Sequence, residues 1–193
     1  RTLILHIGHY KTGTTALQVF CAQNEAALAR RGITYAATER HLAKHSALAF
    51  ALLRAGGAKT LMHGYRRAAP PEAVWAPLLD ELRAAPTPAV LASSEEFMRL
   101  AQFPQAVAAL RAILAGAPDI RLRGVAWVRP IQPHLRSWDK QLVKMGQCET
   151  GFQTGVCTQI EPIHHDYALA LAPWAELAGP GGLSVQPYGE ALR

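Results

Sequence analysis

The chain has 193 residues, half of them hydrophobic and 18% charged, so one domain spanning residues 1–193 with a large buried core is expected. Its net charge of +6 and isoelectric point near 9.5 favour an anionic partner: a nucleotide, nucleic acid, acidic glycan or membrane surface. The cysteines Cys21, Cys148 and Cys157 are odd in number and form no C-x-x-C pair. That argues against a zinc site and a disulfide framework, leaves one Cys148–Cys157 bridge open, and fits a reducing compartment. No apolar run reaches the ~18 residues needed to span a bilayer. The chain opens on Arg1 and enters a strand at once, as a chain trimmed from a longer one would.

Taken in order, Leu3–Ile7 reads as a buried strand and 14–31 as one helix, with Leu17, Phe20, Cys21 and Leu28 on one face and Gly32 as its stop. Ile33–Tyr35 is a short strand, 41–54 a helix, and 58–69 an irregular basic loop. Pro70-Pro71 opens a helix to about Arg83, since proline suits a first helical turn. A strand at 89–92 ends in Ser93-Ser94-Glu95-Glu96. A helix marked by Val107, Leu110 and Leu114 follows, then a strand at 120–128 and a helix at 133–144. A loop at 146–161, a helix at 162–177 and a last strand at 183–185 complete the chain. Short, continuously apolar strands alternating with helices imply an α/β fold: a central parallel sheet of about five strands, covered on both faces. Such sheets bind ligands beyond the carboxyl ends of their strands.

The residues after the first strand are Gly8-His9-Tyr10-Lys11-Thr12-Gly13-Thr14-Thr15. Glycines let the backbone curl so that successive N–H groups point inward, and the next helix offers its positive N-terminus to an anion. A Gly-Thr turn capping a helix would explain two of these residues, but not the octet. The spacing G-x-x-x-x-G-T-T keeps the glycines and threonines of a Walker A loop, with the lysine two residues before the second glycine rather than directly after it.

"HIGHYKTGTTALQ" resembles the 5′-phosphosulfate loop of the sulfotransferases that use 3′-phosphoadenosine 5′-phosphosulfate (PAPS). The resemblance implies a P-loop-like three-layer fold. It also implies that Lys11 contacts the bridging oxygen and sulfuryl group, while Thr12, Gly13, Thr14 and Thr15 hold the 5′-phosphate. The family's 3′-phosphate motif is a strand-end arginine and a serine about eight residues on. Here Arg129 and Ser137 stand at that spacing in "VRPIQPHLRSW"; a guanidinium fork grips phosphate at two points. "HDYALALAPWAEL" and "LSVQPYGEAL" also resemble bacterial members, so the likeness runs from about Leu3 to Tyr188. The family's glycine-rich basic segment near the C-terminus has no match before Arg193: the chain is incomplete there, or that contact is made differently.

A Walker B strand ends in an aspartate that holds Mg²⁺, whereas the later strands here end in Ser93-Ser94-Glu95-Glu96 and Arg129. Sulfuryl carries less charge than a γ-phosphoryl group, so lysine and hydroxyl donors can serve its transfer and no metal is expected. An attacking hydroxyl needs a base, which in the family is a glutamate or a histidine. Glu95 is one candidate, its neighbour Glu96 being expected to point away. His45, in "KHSALAFAL", is the other. His164 and His165 read as acceptor-pocket or surface residues. Tyr10, Trp127, Trp138 and Trp174 read as core, with Trp138 able to pack near an adenine.

The expectation is therefore a bacterial, cytoplasmic transferase that moves a sulfuryl group from PAPS to a hydroxyl of a carbohydrate or other alcohol, releasing adenosine 3′,5′-bisphosphate. A non-catalytic nucleotide-binding module and a P-loop kinase are the alternatives. Nucleic acid is not an expected partner, since the basic residues are not clustered with aromatics.

Overall fold

The computed structural model describes residues 1–62, 65, 69–146 and 160–189. Five parallel strands form one sheet in the order β2-β3-β1-β4-β5: β1 (Thr2–Gly8), β2 (Ile33–Tyr35), β3 (Ala89–Ser93), β4 (Arg121–Val128) and β5 (Leu183–Pro187). With helices on both faces, this is the three-layer α/β architecture expected. The central β1 pairs with β3 on one side and β4 on the other. Its Leu3, Leu5, His6 and Ile7 are all buried, which is why it reads as an unbroken apolar run.

The helices are α1 (Thr14–Gln23), α2 (Glu25–Arg30), α3 (Ser46–Ala55), α4 (Pro71–Ala84), α5 (Pro104–Ala115), α6 (Ile131–Lys144) and α7 (Tyr167–Ala178). Trp75 of α4 is fully buried and donates its indole N–H to the Leu48 carbonyl at 3.0 Å, tying α4 to α3. Phe97 sits edge-on between Trp75 and Trp174, joining α4 and α7 through one aromatic row. Chain order places the loop after β1 and the loop after β4 side by side while their connections leave in opposite directions. The crevice between them is the topological switch point where open α/β sheets bind ligands.

Three expected helices differ in detail. The helix read as 14–31 breaks at Asn24, whose side-chain amide donates to the Phe20 carbonyl while its own carbonyl starts α2. The face α1 buries is Thr14, Gln18 and Cys21, and Phe20 is 55% exposed. The helix read as 41–54 begins only at Ser46, because Glu39 and Leu42 hold left-handed backbone angles (φ 55° and 57°) that an α-helix excludes. The segment read as 162–177 splits into a 3-10 turn, Pro162–His164, and α7, whose N-cap Asp166 accepts from the Leu169 N–H at 2.9 Å. A further 3-10 segment, Glu95–Gln102, follows β3. Cys21 is a free, buried thiol; the Cys148–Cys157 pair and most of the 146–161 loop lie outside the described residues. Among the described residues, no helix is long and apolar enough to cross a membrane.

Burial holds His6 and His9 neutral, their pKa values pushed down to about 4. The unfolded chain protonates these rings near pH 6.5, so their contribution to stability is complete above that pH and is lost as the pH falls toward 4. Each ring can withdraw up to about 1.4 kcal/mol per pH unit within that window. Melting temperatures taken in steps from pH 7.5 to 4.5 should therefore drop steeply below pH 6.5. A flat profile would show that the rings are not held neutral.

Candidate active site

α1 starts directly from the turn that ends β1. Gly13, in a left-handed conformation (φ 75°), is its N-cap, and no side chain caps the first turn. The leading N–H groups of α1 thus face the crevice with only a ligand or water to bind. The Thr12 and Thr14 hydroxyls both point back at the His9 carbonyl, Thr14 at 3.1 Å, and so brace the turn from inside. Thr12 is buried, whereas Thr15 is exposed at the mouth. Lys11 (φ 60°) carries its ammonium outward, where it donates to Gln141 Oε1 at 3.3 Å.

Around this turn lies a cavity of about 510 Å³ that brings together Lys11, Gly13, Thr14, Thr15, Glu95, Arg129 and Ser137, residues far apart in the chain. α6 contributes Ser137, Trp138 and Gln141 from one face, at helical spacing. Tyr188, just past β5, completes the wall: the Arg129 guanidinium lies 5.0 Å from its ring centroid. The same ring presses on the turn, since a Cβ at Gly13 would come within 2.9 Å of Tyr188 Cε2. Lys44 lines the side nearest Glu95, its ammonium 3.9 Å from Glu95 Oε1.

Glu95 is oriented from behind. Gln18 of α1 is buried and donates to Glu95 Oε2 at 3.0 Å and to Ser93 Oγ at 3.2 Å; Ser93 Oγ also lies 2.7 Å from His6 Nδ1. Glu96 points the other way, into the protein, and accepts from the Tyr10 hydroxyl at 2.7 Å. Burial raises its pKa to about 7, against the opposing pull of that hydrogen bond.

His45 is not on the cavity. It is fully buried behind β3; its Nδ1 accepts from the Ser93 N–H at 3.1 Å and its Nε2–H donates to the Ala36 carbonyl at 2.9 Å. With both ring nitrogens spent on backbone, it joins two loops and has no lone pair facing the crevice. His164 is neither an acceptor-pocket nor a surface residue: it is fully buried beneath the turn, stacked on Trp138 at 4.1 Å, and only His165 is exposed. His164 meets His9 and His134 there, with ligand nitrogens within 4.8 Å of one another. His9, however, accepts from the Tyr10 N–H at Nδ1 and donates to the Ile163 carbonyl at Nε2. The trio therefore offers two nitrogens at most to an ion and fits an uncharged floor better than a metal site. His134 is pushed down to about 3 and His164 lower still, burial being the main cause in both.

Lys44, Gln18, Gln141 and the wall role of Tyr188 escaped sequence reading. Only Gln141 left a usable signal, lying one helical turn after Ser137.

A crystal structure of a sulfotransferase from Alicyclobacillus acidocaldarius has the same fold, with a TM-score of 0.63 over 100% of this chain and 75% of that one, at 16% identity. Neither a family model nor a curated protein sequence matches this chain.

Gly13 is required twice, by its backbone angle and by the Tyr188 ring. Gly13→Ala should cost about 1–2 kcal/mol from the left-handed strain alone, and more from the clash. Denaturant unfolding of Gly13→Ala, alone and combined with Tyr188→Ala, separates the two: the second change should recover the clash and leave the strain. Simple additivity of the two substitutions would show that the ring does not confine the turn.

Proposed function

We propose that this protein is a sulfotransferase that moves a sulfuryl group from PAPS to the hydroxyl of an alcohol acceptor. One observation carries the reading: a single cavity at the switch point is lined by the phosphate turn, by Lys11, by Arg129 with Ser137, and by one carboxylate, Glu95. The shared fold with a sulfotransferase supports it.

In this reading the free N–H groups of α1 and the Thr15 hydroxyl hold the 5′-phosphate, while Thr12 and Thr14 brace the turn. Arg129, steadied by Tyr188, and Ser137 take the 3′-phosphate. Glu95 receives the proton of the attacking hydroxyl, and Lys11 meets the charge that develops on the bridging oxygen as the S–O bond breaks. Groups aimed at developing charge act mainly on the transition state. His45 takes no part in proton transfer.

Calorimetry in EDTA should find adenosine 3′,5′-bisphosphate bound much more tightly than 5′-AMP. Arg129→Ala should erase most of that preference, since a charge-assisted contact is worth about 1.5–3 kcal/mol. Equal affinity in the wild type would sink the assignment and favour a kinase.

Glu95→Gln should lower turnover roughly 10²–10⁴-fold at nearly unchanged nucleotide affinity. Lys11→Ala should lower it at least ~10²-fold with only modest weakening of the bisphosphate. His45→Asn should act on thermal stability instead; a larger turnover loss there than at Glu95 would return the proton to His45.

A further inference from the structure

Beside the nucleotide cavity lies a second, larger hollow of about 780 Å³. Its apolar walls are Ala37, Leu42, Ala47, Phe50 and Tyr65; Glu39, Arg40, His41 and Ser46 also line it, and Lys44 is common to both hollows. It sits where the chain leaves β2 and enters α3, beyond the carboxyl end of the sheet. The carboxyl edge of the sheet then reads as a line. Arg129 and Tyr188 stand over β4 and β5, Lys11 and Gly13 over β1, Glu95 over β3, and this hollow over β2. A donor with its 3′-phosphate at Arg129 and its sulfuryl end at Lys11 points toward Glu95, and the next space beyond Glu95 is the hollow.

The lining is mostly carbon. The charge of Arg40 on its rim is taken up by Glu25 at 2.8 Å, outside the hollow. Leu42 is 86% exposed and held in left-handed backbone. A branched side chain in that region costs energy, yet here it turns an apolar group to the open side of the hollow. A saccharide, hydroxylated all round, would set most of its groups against carbon, since Glu39, His41 and Ser46 can pair only a few of them.

Resting on the sulfotransferase reading, we infer that this hollow binds the acceptor, and that the acceptor is an alcohol borne on an apolar body, aryl or alkyl, rather than a sugar. The body lies against Leu42, Ala47, Phe50 and Tyr65, and the hydroxyl reaches past Lys44 to Glu95. There the acceptor oxygen forms the new S–O bond as the bond from sulfur to the bridging oxygen breaks. The hydroxyl proton passes to Glu95, and the electron pair of the broken bond leaves with adenosine 3′,5′-bisphosphate.

Two measurements keep this inference and the one beneath it apart. Calorimetry with adenosine 3′,5′-bisphosphate reads the nucleotide site; calorimetry with 2-naphthol reads the hollow. Ala47→Glu, which sets a carboxylate against the apolar wall, should weaken 2-naphthol at least about tenfold and leave the bisphosphate within about twofold. Leu42→Ser, on an exposed side chain that folding does not need, should weaken 2-naphthol about three- to fivefold. With PAPS present, 2-naphthol and 1-octanol should be sulfated with kcat/KM at least about tenfold above methyl β-glucoside, the separation expected of an apolar pocket. Failure of the unsubstituted protein to bind 2-naphthol while it still binds the bisphosphate, indifference of 2-naphthol to Ala47→Glu, or methyl β-glucoside as the better acceptor would each overturn the acceptor assignment alone. Failure of the bisphosphate to bind would overturn the sulfotransferase reading and the acceptor role together.

Discussion

The buried hydrogen bond from the Tyr10 hydroxyl to Glu96 fastens the turn after β1 to the turn after β3. Glu96 is almost fully buried, and taking a carboxyl group out of water is costly. A hydrogen bond to a charged partner returns about 1.5–3 kcal/mol, so the contact fixes geometry more than it adds stability. Because Glu95 is the adjacent residue, the bond sets where that carboxylate emerges relative to the turn after β1. The turn can present its N–H groups outward only because Tyr10, His9 and Thr12 are anchored inward.

Beneath that anchor the protein keeps its imidazoles uncharged. His9, His134 and His164 are buried, and burial holds each of them neutral. Above it stand the cations Lys11, Lys44 and Arg129, with Glu95 facing them. A neutral floor does not compete with an anionic ligand for these cations, and a low local dielectric strengthens their pull. The stacking of His164 on Trp138, and the tilted contact of Trp138 with Tyr10, make this floor continuous with the core.

The fold shared with the sulfotransferase from Alicyclobacillus acidocaldarius persists at 16% identity. A parallel sheet asks only for apolar strands and amphipathic helices at suitable lengths, which many sequences supply. Chemistry depends on a few side chains at the strand ends, on loops that vary freely over a fixed scaffold.

What the chain determines by itself is whatever depends on near neighbours. The strands around Leu5, Val90 and Leu122 are legible because apolar runs bounded by turn residues have few other uses. The glycine-bounded turn after β1 is legible because Gly8, Lys11 and Gly13 must stand within one short loop. Arg129 and Ser137 are legible together because a strand end and the next helix fix their spacing. Tertiary structure alone decided the rest. Glu95 faces the cavity and Glu96 does not because Gln18 and Tyr10 approach from opposite sides. His45, a plausible base in the sequence, is consumed by two backbone groups brought to it from Ala36 and Ser93. Tyr188 confines Gly13 from 175 residues away. Such convergence comes from packing between distant segments, and no local pattern in the chain encodes which of its side chains will meet.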